Sequence, residues 1–88
     1  MKMIIAIIDD AKSESISRAL LNSDFRVTQL ATTRGLLRGG ATTLMVGVDD
    51  DLVDDALQII RDQIPGSTKS DKPQATLYVL NVKKFNRL

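Results

Sequence analysis

Residues 3–8 form an unbroken apolar run, MIIAII, closed by two aspartates. A run without polar interruption predicts a strand covered on both faces, and hence one central in its sheet. From residue 11 the period changes. Ile16, Ala19 and Leu20 recur at helical spacing, with Asp10 as the expected N-cap and Asn22-Ser23 as the stop, which predicts a helix over 11–22. Residues 25–31, FRVTQLA, alternate Phe25 and Val27 with Arg26 and Thr28, the pattern of a strand with one wet face. Residues 42–48, TTLMVGV, are a further β-rich run. Asp49, Asp50 and Asp51 close it and open a helix over 51–63, where Leu52, Ala56, Ile59, Ile60 and Gln63 fall on the faces and Asp51 with Asp54 approximates a capping box. Residues 65–73, PGSTKSDKP, are breaker-rich and polar and read as a loop. Residues 75–82, ATLYVLNV, are the last strand, and a basic tail occupies 83–88.

The predicted order is β-α-β-β-α-β with a hairpin at its centre. That is the ferredoxin-like, split βαβ pattern, an α+β fold with a four-stranded antiparallel sheet and both helices on one face. One sheet face is then left bare. An apolar face of that size on so small a domain is expected to pack against copies of the same chain.

Composition narrows the function. At 88 residues the chain is read as one domain over 1–88, and a domain this short buries only about 60% of its unfolded surface, which favours oligomers. With 43% hydrophobic and 26% charged residues it is ordinary globular material rather than a disordered segment. It has no cysteine and no histidine, which removes thiol chemistry, most zinc and haem sites and the usual general base. Twelve basic against eleven acidic residues leave +1, so bulk electrostatics advertise no nucleic-acid partner. The run after Lys2 is closed too early by Asp9 and Asp10 to be a signal peptide, and no stretch reaches the roughly 18 apolar residues of a membrane span. The expected location is cytoplasmic.

Candidate chemistry concentrates in residues 28–47, TQLATTRGLLRGGATTLMVG, which hold five threonines, two arginines and four of the five glycines. Gly35, Gly39 and Gly40 permit turns that bring N–H groups near an anion. Thr32, Thr33, Thr42 and Thr43 add hydroxyls, and Arg34 and Arg38 offer a phosphate clamp. Residues 35–42 come near G-x-x-x-x-G-K-[ST], but Ala41 replaces the lysine and a strand follows, so the P-loop reading is rejected. The alternative is a hairpin closed by glycine and threonine with no ligand, and the residues alone leave the two even. Gly47, inside an apolar strand, marks either a bulge or a close approach. The aspartates Asp9, Asp10, Asp49, Asp50, Asp51, Asp54 and Asp55 sit at helix starts and read as caps rather than metal ligands. No carboxylate has a base or nucleophile partner, so no catalytic residue, metal or cofactor is expected, and the chain is read as no enzyme. One tyrosine and two phenylalanines are too few for an RNA-stacking platform.

MKMIIAIIDD, DFRVTQLATTRGLLRGGATTLMVGVDDDLVDDAL and ATLYVLNV resemble the PII-like cyclic-di-AMP receptor family of Gram-positive and related bacteria, ungapped over residues 1 to about 63 and again at the last strand. The specific part is Arg26-x-Thr28, then Ala31-Thr32-Thr33-x-Gly35-x-Leu37, then the Thr42-Thr43 pair and Gly47. The resemblance implies a ferredoxin-like homotrimer that binds cyclic-di-AMP in clefts between subunits and signals to a downstream protein by reordering loops. Carried over by position, Arg26 and Thr28 contact the ligand from the second strand, Gly35 and Leu37 line the cleft, and Gly47 lies under an adenine. Thr32, Thr33, Leu36 and Arg38 complete the candidate set. The chain departs from the family at Arg34 for a glycine, Leu36 for an aromatic and Ala41 for an asparagine. It also keeps only a short 65–73 loop where the family carries a long glycine-rich insertion. Two readings follow: a sensor of cyclic-di-AMP or another adenine nucleotide, and a trimeric interaction module that has lost the ligand. RNA binding through the sheet ranks third.

Overall fold

A computed structural model describes residues 1–33, 40–64, 75–84 and 86 of the chain. The elements are β1 (Lys2–Asp9), α1 (Asp10–Asn22), β2 (Arg26–Thr33), β3 (Ala41–Val48), a 3₁₀ turn (Asp50–Leu52), α2 (Val53–Asp62) and β4 (Ala75–Asn81). The sheet runs β2-β3-β1-β4, with every neighbouring pair antiparallel. This is the expected ferredoxin-type arrangement of four strands and two helices, with the apolar run of β1 in a central place.

Strand alternation divides β1 and β3 into two sides. Ile4, Ala6 and Ile8 from β1 and Leu44, Val46 and Val48 from β3 are buried, and they join Ile16 and Leu20 of α1 and Ala56 and Ile60 of α2 in one core. Both helices therefore cover the same face. On the opposite face Met3 and Ile5 are half-buried and Ile7 is exposed, so the chain by itself covers β1 on one side only. In register with them stand Met45 of β3 and Tyr78 and Leu80 of β4, the last two about half exposed at 52% and 49%.

Helix ends differ from the sequence expectation in ways the packing explains. β1 extends to Asp9, which pairs with Ala41, so α1 starts at Asp10 and the N-cap is Asp9, whose Oδ1 accepts from the Ala11 amide at 3.4 Å. Asp10 is thereby released from capping. At the other end Phe25 N–H donates to Leu20 O and Asp24 N–H to Leu21 O. Asp24 has φ 68°, so the helix closes as a Schellman motif with an aspartate in the left-handed position that glycine usually takes. The Asp51–Asp54 capping box does not form. Asp50–Leu52 is a 3₁₀ turn and α2 begins at Val53 with no side-chain cap bond, while Asp54 and Asp55 still lie in the first turn, favourable to the helix dipole. β2 carries a bulge between Gln29 and Ala31, while the ladder through Gly47 is continuous on both sides. The 65–73 loop, residues 34–39 and most of the 83–88 tail lie outside the described residues; Lys83, Lys84 and Asn86 of that tail are exposed.

Candidate functional site

The Schellman turn at Asp24 delivers the chain into β2 with Phe25 packed toward the core, and alternation then turns Arg26 and Thr28 to the face without helices. Arg26 pairs directly with Gly47, and Gly47 with Met3; Thr28 pairs with Met45. Three of the residues singled out from sequence thus come together at one end of the uncovered face. Arg26 and Gly47, though not Thr28, border an open depression of about 220 Å³ lined by Met1, Asp24, Phe25, Arg26, Gly47, Val48, Asp49 and Leu52. Ligand pockets ordinarily measure about 300–1,000 Å³.

Arg26 and Thr28 are exposed, and Arg26 forms no ion pair with any described carboxylate. A guanidinium held at the rim of an apolar hollow, with Asp24 and Asp49 nearby, is available to an anionic or polar ligand group. The Met1 amino group lies 2.9 Å from Asp50 Oδ1 and holds that carboxyl below its ordinary value, with Lys2 adding a weaker pull. Met1 O also accepts from Val82 N–H at 3.1 Å. The Met1 side chain reaches over Gly47: a Cβ built there would meet Met1 Cε at 3.2 Å. The glycine therefore marks a close approach, and the continuous ladder removes the bulge as its explanation.

Thr32 takes another position. The bulge at Leu30 shifts the alternation, so Thr32 pairs with Thr42, whose side chain is buried on the helix face. Thr32 Oγ1 accepts from Gln29 Nε2 at 2.8 Å and lies 3.4 Å from Thr42 Oγ1, which donates to Asp10 Oδ1 at 2.6 Å. Thr32 is thus on the side of the sheet away from Arg26, Thr28 and Gly47. Thr33 pairs with Ala41 at the end of the ladder. Gly35, Leu36, Leu37 and Arg38 fall outside the described residues. The sequence reading missed Met1, Phe25 and Leu52 as walls of the hollow; their only signal was adjacency to predicted strand ends. Among the described residues no group of three or more Asp or Glu side chains is placed to hold a metal, and no helix is long and apolar enough to cross a membrane.

A family model described as cyclic-di-AMP receptor matches residues 1–72, which include every residue of the hollow. Among solved structures, a functionally unknown protein from Pediococcus pentosaceus ATCC 25745 is 32% identical, with 99% of this chain and 96% of that chain covered and a TM-score of 0.78. Arabidopsis thaliana PII bound to citrate is 23% identical, with 99% of this chain and 79% of that one covered and a TM-score of 0.64. The second likeness is one of fold, and it identifies the four-stranded sheet with two helices as PII-like.

Proposed function

The chain belongs to the cyclic-di-AMP receptor family, and from that premise we propose that it is a non-enzymatic, cytoplasmic signal-transduction protein binding cyclic-di-AMP, or another adenine nucleotide, in clefts between the subunits of a homotrimer. The observation that carries the reading is the pairing of Arg26 with Gly47 on the face without helices. Gly47 offers bare backbone on which a flat base can lie, and Arg26 stands beside it with a charge for the phosphate or a base edge. The hollow, small for a ligand site, gains its remaining walls from a neighbouring subunit. The apolar face of Met3, Ile5, Met45, Tyr78 and Leu80 is what such an assembly buries. Binding switches loop conformation, and the bound form is what a downstream protein reads; this requires tighter binding to that form than to the other.

Isothermal titration with cyclic-di-AMP, with ATP, ADP, AMP and cyclic-di-GMP as comparators, tests the reading once light scattering has given the oligomeric mass. The expected result is uptake of cyclic-di-AMP near one per subunit by a trimer. Arg26→Ala should weaken it at least tenfold, because a hydrogen bond to a charged group contributes about 1.5–3 kcal/mol. An Arg26→Ala protein that binds as tightly as the wild type removes the central contact. A second reading, a ligand-free trimeric interaction module, is favoured by the Met1 thioether lying over Gly47 and by Leu36 and Ala41 in the hairpin. A trimer that takes up none of the five nucleotides would establish it.

A further inference from the structure

On the face without helices Gly47 leaves a gap in a row of side chains, between Met3 in β1 and Arg26 in β2, its direct partners. Met1 stands two residues before Met3. Alternation therefore puts it on the same face, diagonal to Gly47 across the β1–β3 ladder. Diagonal neighbours on a sheet face are about 7–8 Å apart, within reach of a long side chain. The Met1 thioether makes that reach, and its Cε lies 3.2 Å from where a Cβ of Gly47 would stand. Met1 is also a wall of the hollow that holds Arg26, together with Phe25, Val48 and Leu52.

Carbon atoms in contact stand about 3.5–4.0 Å apart. A methyl group 3.2 Å from the Cβ position fills the space on which a flat ring would lie, and the two cannot be there together. The occupant is nonetheless easy to move. Its backbone is held, with Met1 O accepting from Val82 N–H at 3.1 Å. Its side chain is 40% exposed and turns about three bonds. A rotation of that side chain clears Gly47 and leaves the ladder as it is.

We propose that Met1 occludes the base site of its own chain, and so sets how tightly and how fast a nucleotide binds there. In the free chain the thioether covers Gly47, and a ring reaches the bare backbone only when that side chain has turned out. Open sites are then a fraction of the whole, and the apparent affinity is lower by that fraction. The proposal rests on the nucleotide-binding reading above and adds a selectivity to it. A flat base displaces the methyl group, whereas an anion drawn to Arg26 alone leaves it in place.

Met1→Ala tests it in the whole chain, released from an amino-terminal fusion by cleavage before residue 1, with wild type made the same way and cyclic-di-AMP as probe. Alanine ends short of Gly47. The variant should keep its oligomeric mass and bind about fourfold more tightly, the scale of one apolar carbon that no longer has to leave its contacts. The gain should appear in the association rate and not in the dissociation rate. Methyl NMR with labelled methionine reads the contact directly. The Met1 methyl protons should show a nuclear Overhauser effect to the Gly47 α-protons in the free protein, lost with cyclic-di-AMP and kept with inorganic phosphate. Wild-type binding that Met1→Ala leaves unchanged or weakens overturns the occlusion alone, since a weaker variant means that the thioether packs on the ligand. A free protein whose Met1 methyl shows no contact with Gly47 overturns it too, whatever is bound afterwards. A wild type that takes up no cyclic-di-AMP overturns the nucleotide reading and the proposal with it.

Discussion

Gly47→Ala separates the two things a strand glycine can be for. Gly47 lies in an unbroken ladder, paired with Met3 on one side and Arg26 on the other, and its φ is outside the left-handed region. Alanine can adopt that backbone, and replacing a strand glycine removes about 0.5–1 kcal/mol of excess unfolded-state entropy. Against this stands one contact, the new Cβ 3.2 Å from Met1 Cε. That atom ends a flexible side chain that is 40% exposed, so a small rotation relieves the contact at little cost. The net is a stability change between zero and about +1 kcal/mol, a melting temperature equal to wild type or up to about 8 °C higher.

Ligand binding should move the other way. The Cβ stands on the face without helices, in the row of Arg26, where a base would rest on bare backbone. A methyl there lifts the ring by more than the 0.5–1 Å that already forfeits a quarter to a half of a van der Waals contact, and base stacking is worth about 1–3 kcal/mol. Cyclic-di-AMP affinity should fall at least tenfold. Scanning calorimetry and isothermal titration on the same preparation read both quantities. A Gly47→Ala protein that binds as wild type does means that no ring lies on Gly47. One that loses more than about 1.5 kcal/mol of stability means that the glycine serves the fold, and the argument from close approach fails.

Asp24→Gly should stabilise the chain by about 0.5–1 kcal/mol in urea unfolding, since glycine occupies φ 68° without the strain a side chain brings; a loss of stability would mean that the aspartate side chain holds the turn. The same change removes a carboxylate from the rim of the Arg26 hollow, so anionic ligands should bind more tightly, most visibly at low salt. Ile5→Glu puts a charge at the centre of the uncovered face, between Met45 and Tyr78. It should yield a folded monomer by light scattering and circular dichroism, and persistence of a trimer would show that this face is not the interface.

Element identity and order were legible because the periods are clean: an unbroken apolar run for β1, spacing of three and four for α1, alternation for the start of β2. What escaped was decided by competition between near-equivalent residues or by distant pairing. Asp9 and Asp10 are equally good caps in isolation, and the choice is made by Asp9 completing the ladder opposite Ala41. Three successive aspartates before Leu52 likewise gave no unique helix start, and the chain takes a 3₁₀ turn there. The β2 bulge had a faint signal in Gln29, a polar residue where alternation from Val27 calls for an apolar one. In the candidate site, the side shared by Arg26, Thr28 and Gly47 follows from alternation and pairing. The Thr42–Asp10 bond joins residues 32 positions apart and has no local signature.

The spacing along β3 bears on how the site is assembled. Gly47 and Ala41 are six residues apart in one regular strand, which at 3.3–3.4 Å per residue is about 20 Å. Arg26 and Thr33 stand opposite these two positions in β2. A ligand site that draws on both Arg26 and Arg38 is either built within one chain or shared between subunits. Subunit mixing decides between these. Arg26→Ala and Arg38→Ala proteins should each bind poorly alone, and refolding them together in equal amounts gives mixed trimers. If each cleft joins Arg26 of one subunit to Arg38 of another, about one quarter of the clefts in a random mixture hold both arginines and bind with wild-type affinity. If both residues serve a site within one chain, every site in the mixture carries a lesion and titration finds no tight class at all.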